Sequence, residues 1–299
     1  MLKGQNNFEQ NKEVENILDR KMGNKESKPS KKLDVDAVLK SKAKNHYKKI
    51  PKVAINYLKR KVHQDELNYI IETYQDEYGS DFMKACVDYF NLTLHIKGEE
   101  NIPENGRFIF VSNHPLGGLD GICLASVLGE RYNKKIKYLV NDILLNIENL
   151  ESIFVPVNKH GWQAKDSVKA INDAYESENQ IITFPAGLCS RKQNGKVVDL
   201  QWAKSFVVKA KQFERDIIPV HFEGRNSNFF YNLSNLRKRL GVKLNIEMLY
   251  LADEMMKKKN DEFTITFGKP ISWKLLDKSK NPLQWAQSIK ETVYELKQN

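Results

Sequence analysis

Two kinds of hydrophobic pattern alternate along this chain. Short apolar runs occupy residues 92–96, 108–111, 136–140, 153–157, 180–184 and 216–222. Runs of that length, rich in branched and aromatic side chains, predict strands. Elsewhere apolar residues recur every three or four positions, as in Ala164, Val168, Ile171 and Tyr175, or Trp202, Phe206, Val207, Ala210 and Phe213. That period predicts helices with one face on a core. Ile122, Leu124, Ala125, Val127 and Leu128 predict another helix, and Leu283, Ala286, Ile289, Val293 and Leu296 a terminal one. Residues 244–249 and 263–267 read as closing strands. Strands alternating with helices predict an α/β domain over residues 91–299.

Upstream, residues 34–90 carry three more helical stripes. They are Ile55, Leu58 and Val62; Leu67, Ile70, Ile71 and Tyr74; and Phe82, Ala85, Cys86, Tyr89 and Phe90. Pro51 suits a first helical turn. These stripes predict a helical N-terminal extension. Residues 1–33 are polar and mixed in charge, and Lys28-Pro29-Ser30-Lys31-Lys32 breaks any pattern, so they read as a mobile tail.

Charge adds a surface to this picture. The formal net charge is +10, yet residues 40–61 hold nine Lys or Arg and no Asp or Glu. Lys48, Lys49, Lys52, Lys59, Arg60 and Lys61 belong to that segment, which reads as a basic amphipathic docking surface for an anionic partner. Anionic lipid headgroups, an acidic acyl carrier protein and nucleic acid all fit that charge; a solvated helical cap is the plainer reading. No run of 18 uninterrupted apolar residues is present, so no spanning helix is expected. The first residues hold no apolar h-region, and the three cysteines (Cys86, Cys123, Cys189) are widely spaced. Both features point to reduced thiols in a cytoplasmic compartment.

Candidate chemistry concentrates after the run 108–111. Ser112-Asn113-His114-Pro115 ends the strand, Gly117 and Gly118 permit a tight turn, and Asp120 opens the next helix. A neutral imidazole can take a proton from a hydroxyl, and a carboxylate on its other nitrogen fixes the tautomer. His114 and Asp120 would thus form a dyad whose nucleophile is a hydroxyl of the substrate. Backbone N–H groups near Gly117, Gly118 or the helix start would hold the oxyanion. The plainer reading is a hydrogen-bonded turn histidine and a helix-capping aspartate.

A second strand end, at Phe184-Pro185-Ala186-Gly187, should share the same sheet edge. Ser190, Arg191 and Lys192 follow it and suit an anionic group of a ligand. Their alternative is a solvated turn before Asn194-Gly195, a hairpin turn. His221 is the rival base and ranks as an acceptor-binding or supporting residue; Arg225 suits a carboxylate-bearing headgroup. His95 reads as structural and His160 as a loop residue. No His/Asp pair has the short helical spacing of zinc signatures, so no metal is expected. No Gly-x-Ser-x-Gly elbow is present, which argues against a lipase or thioesterase. Cys189 reads as a small buried residue, not a covalent nucleophile.

Three blocks, taken in order, carry a family resemblance. Asn113-His114 with Asp120, then Phe184-Pro185-Ala186-Gly187, then Ile218-Pro219-Val220 resemble the Asn-His…Asp, Phe-Pro-Glu-Gly and last blocks of the glycerolipid (lysophosphatidic acid type) acyltransferase superfamily. The resemblance covers about residues 90–270. It implies a mixed, mostly parallel sheet flanked by helices and a membrane-peripheral O-acyltransferase on the inner face of the cytoplasmic membrane. It also implies no cofactor, an acyl carrier protein or coenzyme A thioester as donor, a lyso-lipid acceptor and no nucleic acid. His114 and Asp120 would be catalytic. Asn113, Gly117, Gly118, Phe184, Pro185, Gly187, Ser190, Arg191, His221 and Arg225 would line the substrate. Lys159 would replace an Arg that related enzymes often carry near there.

The departures are informative. Five residues separate His114 from Asp120 where four are usual, Ala186 replaces the usual Glu, and Cys189 stands where Arg is expected. These features, with residues 221–227, resemble a hemolysin-like side branch that includes O-acyltransferases completing ornithine or glycine lipids. They favour a hydroxy-acyl amino acid as acceptor. The alternatives are 1-acylglycerol-3-phosphate acylation and a non-catalytic lipid-binding protein.

Overall fold

A computed structural model describes residues 32–140, 147–157 and 164–298. The expected tail, apart from its last two residues, and Lys159 and His160 lie outside the described residues. The N-terminal helices are α1 (Val35–Ala43), α2 (Lys52–Lys61), α3 (Gln64–Thr73) and α4 (Ser80–Tyr89). Then come β1 (Thr93–Lys97), β2 (Phe108–Ser112), α5 (Leu119–Arg131), β3 (Ile136–Val140), β4 (Phe154–Pro156), α6 (Ala164–Glu176) and β5 (Gln180–Thr183). A hairpin, β6 (Arg191–Gln193) and β7 (Lys196–Val198), precedes α7 (Ser205–Gln212) and β8 (Asp216–Phe222). The chain continues through α8 (Asn228–Arg239), α9 (Leu251–Met256), β9 (Glu262–Phe267) and α10 (Pro282–Glu295).

Seven strands make one sheet in the order β1-β9-β8-β2-β5-β3-β4. All neighbours run parallel except β8 and β9. Central parallel strands are covered on both sides, so their sequences lack alternation. Every residue of β2 and β5 is accordingly buried. The edge strand β1 alternates between exposed and half-buried residues, as its sequence does. One sheet face carries Phe110, Ile182, Ile218 and Val220 against α4 and α5. The other carries Ile109, Val111, Ile181 and Ile217 in a core with Trp202, Phe206 and the α10 residues Ala286, Ile289 and Val293. Because β5, β2 and β8 are adjacent and parallel, their C-terminal ends converge at one edge. That is where an open α/β sheet offers a crevice.

Two local readings resolve clearly. Asn194-Gly195 does close a hairpin, with both residues at positive φ (48° and 80°). The expected strand at 244–249 is instead a 3₁₀ turn, Ile246–Tyr250, running into α9. Its period-two pattern misled because Glu247 is the residue turned inward, fully buried against Arg191 and Arg237. Among the described residues no helix is long and apolar enough to cross a membrane.

Candidate active site

The site grows from the end of β2. Asn113 clamps that end: its Nδ2 donates to the Phe222 carbonyl at 2.9 Å, and its Oδ1 accepts the Phe222 N–H at 2.7 Å. The side chain thus mimics one more rung between β2 and β8. Its amide is engaged there, and the residue is buried, so it supports the site instead of lining it as expected.

One residue on, His114 emerges with a side chain only 12% exposed. Its Nδ1 lies 3.0 Å from Asp120 Oδ2. Asp120 is wholly buried at the start of α5, and the turn wraps around its carboxylate. Oδ2 also accepts the N–H of Leu116 at 3.0 Å and of Gly117 at 3.3 Å, while Oδ1 accepts the N–H of Gly121 at 2.9 Å. Four donors therefore hold one carboxylate, and the five-residue spacing keeps the pair in contact. Since a carboxylate only accepts, Nδ1 carries the proton and Nε2 is left as an acceptor. Among the described residues nothing hydrogen-bonds Nε2. Burial pushes the imidazolium pKa down, but the charge and hydrogen bond of Asp120 and the charge of Asp199 outweigh it, so the net shift is upward.

The turn needs one of its two glycines. Gly117 sits at φ +81°, and a Cβ there would lie 3.0 Å from Cys189 Cβ and 3.1 Å from Leu251. Its N–H points at Asp120, which removes it from the oxyanion role expected from sequence. Gly118, by contrast, faces open space. It stands at the N-terminus of α5, where first-turn N–H groups lack helical partners.

Phe184 lays its ring over His114, with centroids 4.3 Å apart. The buried Pro185 and exposed Gly187 belong to a turn closed by the Gly187 N–H on the Phe184 carbonyl at 3.0 Å. Ser190 is held inward: its N–H donates to the His114 carbonyl at 2.7 Å, and its Oγ to Asp199 Oδ1 at 2.6 Å. Asp199 is a member that sequence reasoning missed. Its carboxylate also accepts the His114 N–H at 3.2 Å and Trp202 Nε1–H at 2.8 Å, and its own N–H reaches Tyr294 Oη at 2.7 Å. No local motif marks Asp199, because its partners come from four separated segments.

Arg191 corrects the sequence expectation most sharply. It is neither a substrate contact nor a solvated turn residue, being 1% exposed. It donates to the Cys189 carbonyl at 2.7 Å and to Glu247 at 3.1 Å, and covers the Phe230 ring. Arg237 completes the cluster, its Nε 2.8 Å from Glu247 Oε2 and its Nη2 donating to Oε1 at 3.3 Å. Cys189 is buried, and burial, partly offset by Arg191, pushes its thiol up to about 11, so it stays protonated and unreactive.

His221 lies on the opposite sheet face from α5, edge-on to the Tyr294 ring at 6.0 Å. Burial, aided by Lys297, pushes it down to about 4, which keeps it neutral. It supports the layer beneath the site and does not meet His114. Arg225 is exposed and bonds Asn228 at 2.7 Å. Asn226 links that loop back to the turn through Nδ2 and the Pro115 carbonyl, at 3.3 Å. Of the basic segment, Lys48, Lys49, Lys52 and Arg60 are exposed, while Lys59 pairs with Asp36 and Lys61 with Asp253.

A family profile described as Acyltransferase matches residues 37–299. A protein of Bacteroides thetaiotaomicron named lyso-glycine lipid O-acyltransferase is 53% identical over 264 residues, covering 88% of this chain and 97% of that one. A protein of Phocaeicola vulgatus with the same name is 52% identical over 264 residues, covering 88% and 95%. Among solved structures, the 1-acyl-sn-glycerophosphate (LPA) acyltransferase PlsC from Thermotoga maritima aligns with a TM-score of 0.49 and 18% identity, over 74% of this chain and 78% of that one.

Proposed function

Because this chain belongs to the acyltransferase family and is an acyltransferase, we propose that it moves a fatty acyl group from an acyl carrier protein or coenzyme A thioester to the hydroxyl of a lyso-lipid. The acceptor is a hydroxy-acyl amino acid, and the names of the two bacterial relatives favour glycine as its headgroup. The observation that carries the chemistry is the His114–Asp120 bond, which leaves Nε2 as the open acceptor of a buried, oriented ring. Nε2 takes the proton of the acceptor hydroxyl as its oxygen attacks the thioester carbon. First-turn N–H groups at Gly118 and beyond stabilise the oxyanion. Collapse of the tetrahedral intermediate breaks the C–S bond, and the departing thiolate recovers the proton from the imidazolium. Asp120, hydrogen-bonded to Nδ1, orients the ring and stabilises that cation.

Acylation of a lysophosphatidic acid is the second reading. It needs cationic contacts for a phosphate, yet Cys189 is neutral, Ala186 has no charge, and Arg191 is committed to Glu247. The enzyme works as a peripheral protein on the inner face of the cytoplasmic membrane, where such acceptors reside. The deciding experiment offers acyl-carrier-protein and coenzyme A thioesters to purified protein with a panel of lyso-lipids, alongside His114→Ala. Product with lyso-glycine lipid and none with lysophosphatidic acid is expected. Full activity in His114→Ala would overturn the mechanism, and no transfer under any pairing would leave a lipid-binding protein.

A further inference from the structure

Helix α8 carries large apolar residues on its outer face as well as its inner one. Inward it presents Phe230, Tyr231, Ser234 and Arg237. Outward, Phe229, Leu236 and Leu240 are 51%, 52% and 68% exposed, with Leu233 half-buried between them. The positions follow i, i+4, i+7 and i+11, so they form one unbroken stripe. The turn beyond extends it with Val242 and with Leu244, which is 71% exposed. A stripe of this kind on the solvent side needs a partner.

The charge around it selects that partner. Residues 225–250 contain five Lys or Arg and a single acid, Glu247, which is buried. Lys238, Arg239 and Lys243 are exposed beside the stripe. Tyr250 joins this surface to the basic N-terminal segment: its ring meets Phe229 at 5.1 Å, its hydroxyl lies 2.7 Å from that of Tyr57 on α2, and Lys61 stands 5.8 Å from its ring centre. In that segment Lys48, Lys49, Lys52 and Arg60 are exposed. Apolar side chains flanked by tyrosine hydroxyls and cations match the boundary between acyl chains and anionic headgroups. A second copy of the chain would set these cations against themselves. The surface also adjoins the chemistry, because Asn226, two residues before α8, bonds the Pro115 carbonyl next to His114.

We propose that α8 and the turn after it, together with α2, dock the enzyme on an anionic lipid bilayer beside the His114 turn. This rests on the lyso-lipid acyltransferase reading. The test sediments the full chain with vesicles of phosphatidylcholine alone or mixed with phosphatidylglycerol. The protein is expected to bind the mixed vesicles in a salt-sensitive manner. The double variant Leu236→Asp/Leu240→Asp should bind roughly tenfold to a hundredfold more weakly. Lys238→Glu/Arg239→Glu should lose the preference for anionic vesicles. Both variants should keep wild-type transfer to a detergent-dispersed acceptor, since neither pair touches the His114 turn. Unchanged sedimentation of the leucine variant, or equal binding of the wild type to neutral vesicles, overturns the proposal. So does a leucine variant altered only in self-association or in binding of acyl carrier protein. If the wild type acylates no dispersed acceptor, the catalytic reading fails, and sedimentation still decides the docking surface.

Discussion

Two buried charge clusters flank Cys189 in this fold, and they differ in what they leave open. At Glu247 the carboxylate meets Arg191 and Arg237 and also accepts from Ser234 Oγ at 3.3 Å, so both cations are tied to the one acid. At Asp120 the carboxylate takes three backbone N–H groups and one imidazole nitrogen, and the other nitrogen of that ring has no hydrogen-bond partner among the described residues. The first cluster is closed and holds α8 and the 3₁₀ turn onto the hairpin. The second is closed on all but one atom. Reactivity in a buried site needs that unfilled valence, held rigid by everything around it.

The comparison breaks most decisively at the open cluster. Asp120→Asn sets an amide N–H against Nδ1–H or against a backbone donor of the turn, and activity should fall about 10⁴-fold, as for a base held in the wrong tautomer. Steady-state transfer to the lyso-lipid measures this, and a loss under tenfold would contradict the dyad. Next comes the closed cluster. Glu247→Gln leaves two buried guanidinium groups unpaired, so it should lower stability by about 3–5 kcal/mol. Urea unfolding reads that loss, while turnover of the remaining folded enzyme should change little.

Asp199→Asn tests the support behind His114. The amide would set a donor against Trp202 Nε1–H or Ser190 Oγ–H, a cost of about 1–3 kcal/mol. It should reduce kcat more than it raises KM, because the acceptor site is untouched. The smallest effect is a shift with pH. The free-enzyme base must be neutral, and its pKa is raised, so kcat/KM should be lost as pH falls through a value above the usual histidine range near about 6.5. In Asp120→Asn, burial is no longer outweighed, and the acid limb of the remaining activity should move to lower pH. A limb that moves upward instead would show that Asp120 is not the group that raises it.

Much of the frame is legible in the chain. The continuous apolar runs of β2, β5 and β8 announce strands covered on both faces, and α6, α7 and α10 follow from their 3.6-residue stripes. His114 and Asp120 are close in sequence, so a turn suffices to join them. The 3₁₀ turn at Ile246–Tyr250 was illegible because its polar residue, not its apolar ones, defines the inward side. Arg191 looked available for a ligand because its neighbours in sequence are polar. The acid that claims it lies 56 residues away.

The central strands β2, β5 and β8, the helices α6, α7 and α10, the place of the turn after β2 and the identity of its imidazole and carboxylate were therefore determined by sequence alone, since each depends on residues within a few turns of chain. Tertiary structure alone decided which polar groups are free. Hydrogen-bond capacity is filled by whatever the fold brings within reach, so Asn113, Ser190, Arg191 and His221 were taken up by the scaffold, while Nε2 of His114 has no partner among the described residues. The same rule sorted α8: packing claimed Phe230 and Tyr231 and left Phe229, Leu236 and Leu240 facing outward, a division that no hydrophobicity pattern along the chain could make.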